Sequence, residues 1–133
     1  MKRSLFLFFI IMMAVLVGAC SAKLTGNDVV TAFKNAGLEA ESTKQMSKDD
    51  YGAAPLVCEG TRFFIPSLGQ DNGGRIFICD NNDDRDSLAN YYQDLGKSSA
   101  LFFSWVFVKD NIVVQINGDL KEDIARKYEQ AIP

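Results

Sequence analysis

What most limits the architecture open to this chain is an unbroken apolar run at residues 5–17, LFLFFIIMMAVLV. A helix that is apolar on every side belongs in a large core or a membrane, whereas a helix on a small domain keeps a polar stripe. At 13 residues the run is short of the about 20 needed to cross a bilayer. Lys2 and Arg3 precede it, and the small residues Gly18 and Ala19 follow. A positive start, an apolar stretch and a small-residue cut site describe a secretory signal. The first 19 residues are therefore expected to address the chain rather than fold with it. Of the 133 residues, 114 are left, enough for one small domain.

Leu16-Val17-Gly18-Ala19-Cys20 resembles the lipobox of bacterial lipoproteins. The resemblance implies that the Cys20 thiol receives a diacylglyceryl group, that the cut falls before it, and that Cys20 becomes the first residue. In that pattern Leu usually stands three places before the cysteine; here Val17 holds the place and Leu16 sits one further back. Taken alone, Val17 and Ala19 also suit an ordinary secretory cut at the same bond. On the lipoprotein reading, residues 1–19 are the signal peptide, 20–25 a lipidated tether and 26–133 the domain. The domain is then held by lipid at the extracytoplasmic face of a cell membrane. Two or more acyl chains, at about 0.8 kcal/mol per buried methylene, give stable anchoring.

Lys2 and Arg3 leave with the signal, so 12 basic residues remain against 17 acidic ones. An acidic domain without a basic run argues against a nucleic-acid partner and against electrostatic attachment to anionic lipid. Cys58 and Cys79 remain, in a compartment that permits disulfides. They flank an expected hairpin and fit a register centred on a turn near Leu68 and Gly69. A bridge there adds about 3 kcal/mol in the chain-entropy picture. The alternative is two buried thiols acting as small hydrophobes. No Cys-x-x-Cys spacing points to redox chemistry.

Thr25 with Asp28 reads as a capping pair opening a helix whose stripe is Val29, Val30, Phe33 and Ala36, stopped at Gly37. Residues 38–41 form a short strand candidate, and residues 42–57 a long polar connection. Residues 61–65 and 75–79, rich in Phe and Ile, read as strands around a wide turn at 66–74. Leu88, Tyr91, Tyr92 and Leu95 mark a second helix, stopped at Gly96. Residues 101–109 and 112–117 form the clearest hairpin, turned by Asp110-Asn111. A two-residue turn pairs Phe107 with Val114, Trp105 with Ile116, Val106 with Gln115 and Ser104 with Asn117. Asp119 with Glu122 caps a third helix with Ile124, Tyr128, Ala131 and Ile132 inward. The order is α-β-β-β-α-β-β-α. It predicts a single α+β domain of two layers, an antiparallel sheet packed on helices. The second and third parts of the chain also share a weak ββα likeness.

Beyond the lipobox, the stretches YGAAP at 51–55, GTRFFIPSLG at 60–69, GGRIF at 73–77, FFSW at 102–105 and QINGDL at 115–120 carry a second resemblance. The mature part is similar to small bacterial lipoproteins that are also labelled stress proteins. That likeness implies one intact domain and brings no activity or site residues with it.

Histidine is absent, which removes Ser-His-Asp and Cys-His catalysis and ordinary zinc sites. There is no Ser-x-x-Lys and no phosphate loop. Asp80, Asn82 and Asp84 fit the first positions of a calcium loop, but Arg85 replaces the turn glycine and Tyr91 the bidentate Glu. Carboxylates opening a helix explain that cluster more simply. Paired carboxylates for glycoside hydrolysis have no identifying spacing. No catalytic residue, metal or cofactor is assigned. In the strand from Phe102, the residues Phe103, Trp105 and Phe107 should pack under helices. Phe102, Val106 and Val108 then share the other face with Arg62, Phe64 and Phe77. That face, with Ser104 and Gln115, either binds an envelope protein or a small apolar ligand, or is covered by residues 42–57. The reading is a membrane-anchored domain that acts by binding. Its rivals are a small enzyme using carboxylate, Lys or Tyr chemistry and a general envelope stress protector.

Overall fold

Residues 22–133 are described by a computed structural model; Cys20 and the leader, with the expectations of cutting and lipidation that fall on them, lie outside the described residues. The first helix, α1 (Gly26–Asn35), opens on a reciprocal capping box. Asp28 N donates to Thr25 Oγ1 at 3.3 Å, and Thr25 N to Asp28 Oδ2 at 2.8 Å. Then follow β1 (Glu41–Gln45), a one-turn α2 (Lys48–Tyr51), β2 (Glu59–Phe64) and β3 (Gly73–Ile78). The longest helix, α3 (Asn82–Ser98), precedes β4 (Ser104–Lys109), β5 (Ile112–Asn117) and α4 (Glu122–Ala131).

The five strands form one antiparallel sheet in the order β1-β2-β3-β5-β4, and the fold is a single α+β domain. The β4–β5 register pairs Phe107 with Val114 and Trp105 with Ile116, as the two-residue turn requires. Asp110 adopts a φ of 50° there, a left-handed value that Asp tolerates.

Helices lie on both faces of the sheet, which makes three layers where the sequence reading placed two. On one face, Val29, Val30 and Phe33 of α1 and Ala125 and Tyr128 of α4 cover the alternate residues Phe63, Ile76, Ile78, Val114 and Ile116. Phe33 meets Tyr128 edge-on at 5.0 Å and Phe63 at 5.5 Å, an arrangement that aromatic quadrupoles favour. On the other face, Leu88, Ala89 and Tyr92 of α3 cover Phe77 and Val113. The reason lies in β3 and β5: they are central and carry apolar residues on both sides, with Phe77 and Val113 on the α3 side, so each side needs a cover. Two ββα units thus recur, β2-β3-α3 and β4-β5-α4, with their helices on opposite faces.

Three local expectations shift. The strand expected at 38–41 begins instead at Glu41 and runs through residues 42–45. Its five side chains are all exposed, so no alternation marks it in the sequence. Helix α3 continues through Gly96 to Ser98, because Gly96 does not take the left-handed conformation that ends a helix. Helix α4 opens at Lys121 without a side-chain cap; Asp119 sits in the preceding turn, its backbone N donating to Asn117 Oδ1.

Cys58 and Cys79 are joined by a disulfide, with Cα atoms 4.5 Å apart. They continue the β2–β3 register, which pairs Glu59 with Ile78 and Phe64 with Gly73.

Candidate functional site

Side chains alternate across a sheet, so residues matched in register on successive strands form a transverse row on one face. On the α3 face one such row reads Lys44, Arg62, Arg75, Gln115 and Val106, from β1 to β4. Helix α3 covers only part of this face. Its Leu88, Ala89 and Tyr92 cover the end of the sheet carrying Phe77 and Val113, and the opposite end stays open.

The open end is a cavity of about 570 Å³. That falls in the range of small-molecule sites, about 300–1,000 Å³. Arg62, Arg75, Gln115 and Ser104 supply polar groups from the strands, and Tyr92 and Leu95 form the α3 side. A tight 3-10 turn at Ala100–Phe102 makes the remaining wall, held by Leu101 N donating to Ser99 Oγ. This wall is strongly apolar and exposed: Leu101 is 91% and Phe102 60% accessible. Gly118 is needed behind it, since a Cβ there would stand 2.3 Å from the Phe103 carbonyl oxygen.

The polar groups are unevenly satisfied. Arg75 Nη1 donates to Gln115 Oε1 at 2.9 Å, and Gln115 is only 7% accessible. Arg62 Nη2 donates to the Asp71 carbonyl at 3.0 Å, and its guanidinium lies over the Phe64 ring at 4.8 Å. Arg75 Nε and Ser104 Oγ are shielded from solvent and have no hydrogen-bond partner among the described residues. Burial pushes the Tyr92 hydroxyl pKa up, against the opposing pull of the nearby Arg75 charge. At the β1 end of the row Lys44 is paired with Asp50 at 3.3 Å. The Asp50 carboxyl is held down at about 2, first by the Ser47 backbone N–H it accepts from.

The six residues expected on an open face therefore separate. Arg62, Ser104 and Gln115 come together in the cavity. Phe77 does not: it is fully buried, with Tyr51 at 5.9 Å and Tyr92 at 5.8 Å from its ring. Residues 42–57 supply part of that cover, through Met46, Tyr51 and Ala54. Phe64 lines a separate hollow with Ser42, Pro66 and Gln70, and Val106 another at the β4 edge. Phe103, expected in the core, is 44% exposed because the extended chain begins only at Ser104. Arg75 was not singled out from sequence. The signal was available: the register that opposes Cys58 and Cys79 also opposes Arg62 and Arg75.

Among the described residues no group of three or more His, Cys, Asp or Glu side chains could hold a metal ion, and no helix is long and apolar enough to cross a membrane. The Asp80–Asp86 cluster opens α3, where Asn81 caps the Asp84 N–H at 2.8 Å. Compared with protein-family models, curated proteins and solved structures, the chain matches none.

Proposed function

We propose that this chain is an exported lipoprotein, cut before Cys20 and anchored by lipid to a membrane, whose domain acts outside the cytoplasm by binding rather than catalysis. The address is supported by the charged start, the apolar run and the lipobox-like residues before Cys20. The Cys58–Cys79 disulfide is consistent with an oxidising compartment. The binding role rests on one observation, the cavity beside α3 with its arginine-lined floor and exposed Leu101–Phe102 wall. A partner would be a small molecule with an apolar part, or an envelope protein presenting such a group.

Mass spectrometry of the membrane-derived protein tests the address. The expected N-terminus is Cys20 with acyl mass added, and Cys20→Ala removes the protein from the membrane fraction. An uncut leader or an unmodified thiol contradicts the proposal. Native mass spectrometry tests the binding role. The gently purified protein should carry a bound mass that Ser104→Trp, which fills the cavity, removes while the thermal transition persists. Absence of any bound mass in both proteins argues against it.

A further inference from the structure

Arg62 and Arg75 are direct cross-strand partners facing one cavity. Like charges directly opposite on neighbouring strands destabilise a sheet. This domain has an excess of carboxylates with which to offset them, and it does so for Lys44, next in the same row, through Asp50. Neither arginine has such a partner among the described residues. Asp71 and Asp119 line the same cavity without forming an ion pair with them. The shielded Arg75 Nε adds a donor without an acceptor, which is costly to leave unpaired. Two like charges on adjacent strands at one cavity are offset when an oxyanion arrives, because a guanidinium fork matches a carboxylate or phosphate. Beside this floor, Leu101 and Phe102 offer exposed apolar surface.

We infer that the cavity takes an amphipathic anion: a carboxylate or phosphate head on Arg62 and Arg75, with its apolar group against Leu101 and Phe102. This rests on the binding role proposed above and names the class of ligand. The head accepts from the guanidinium N–H groups. The Asp71 and Asp119 carboxylates disfavour a second negative charge at their edge.

The test uses the lipidated protein in phosphatidylcholine nanodiscs, with calorimetry and the nitrogen resonances of the arginine side chains as readouts. The probes are hexanoate, hexyl phosphate, hexanol, hexylammonium and inorganic phosphate. Hexanoate and hexyl phosphate should bind and move the Arg75 Nε resonance, while hexanol and hexylammonium should not. Inorganic phosphate should bind more weakly than hexyl phosphate. Arg62→Gln and Arg75→Gln should each weaken the anionic probes by about tenfold or more, the loss expected for a charged hydrogen bond. Arg75→Lys, which keeps the charge and loses the fork, should weaken them less, and melting curves confirm that each variant folds. Hexanol binding as tightly as hexanoate, unaffected by Arg75→Gln, overturns the anion inference and leaves the binding role standing. Inorganic phosphate binding as tightly as hexyl phosphate overturns the apolar half. If no probe binds, the inference falls together with a binding role for this cavity.

Discussion

Tyr128 joins three elements through one side chain. Its ring packs on Phe33 and Phe63, and its hydroxyl donates to the Glu39 carbonyl at 2.6 Å, tying α4 to the segment before β1. Burial pushes that hydroxyl from an ordinary 10.0 up to about 12. The folded state thus holds the phenol neutral where an unfolded chain begins to lose the proton. The stability it contributes is whole below about pH 10 and is lost as pH rises toward 12. Tyr128→Phe keeps the ring and should cost about 1 kcal/mol in urea unfolding at neutral pH, with a shallower alkaline slope than the parent. Asp50 works in the opposite sense. Its carboxyl is held down at about 2, so its contribution is present above the unfolded value of 3.8 and lost as pH falls toward 2. Asp50→Asn should flatten stability across that acid window, read from thermal midpoints at stepped pH. Among single residues, local signals were legible: Thr25 and Asp28 are three apart, and their mutual capping needs nothing else from the fold. The meeting of Arg62 with Arg75 was harder to see, because it depends on where a breaker-rich turn places its centre.

At the scale of elements, β4 and β5 were readable down to the register, since a two-residue turn leaves little freedom. The β2–β3 hairpin is joined by a longer connection containing a Pro66–Leu68 turn, and there the disulfide reinforces the pairing. Replacing Cys58 and Cys79 together by Ser should cost about 3 kcal/mol for a loop of this size, measured by denaturant unfolding against the parent. An unchanged midpoint would mean that the strands hold the unfolded ends together without it. Helix α3 was found by its stripe but set on the wrong side of the sheet. An amphipathic pattern says that one helix face is buried, not against which sheet face, and β3 and β5 carry apolar residues on both. Strand β1 escaped for a different reason. As an exposed edge strand, ESTKQ is fixed by backbone pairing with β2 rather than by side-chain burial.

Taken whole, the molecule has two cores that share the central strands of one sheet. Ile76 and Val114 face one core while Phe77 and Val113 face the other, so neither can be lost alone without stripping the same backbone ladder. Trp105 fluorescence, which reports the α4 side, and far-ultraviolet circular dichroism should give the same urea midpoint. Separate midpoints would mean that α3 melts as its own unit. The cavity was only half legible at this scale: Arg62, Ser104 and Gln115 follow from strand alternation, but the gap over them exists because α3 covers only the Phe77 and Val113 end of that face. One contact at the other extremity sets how the domain would sit. Lys23 pairs with Asp80, just past the disulfide, and stands three positions after Cys20 in the chain, a span of at most about 10 Å. Arg75 lies in β3 five positions before Asp80, at most about 17 Å away if the chain is extended throughout. With Cys20 in the bilayer as proposed, the arginine pair stands off from the Lys23–Asp80 contact by about that distance. It would sample what drifts in the surrounding fluid, and a lipid in the leaflet below would have to leave its neighbours to reach it.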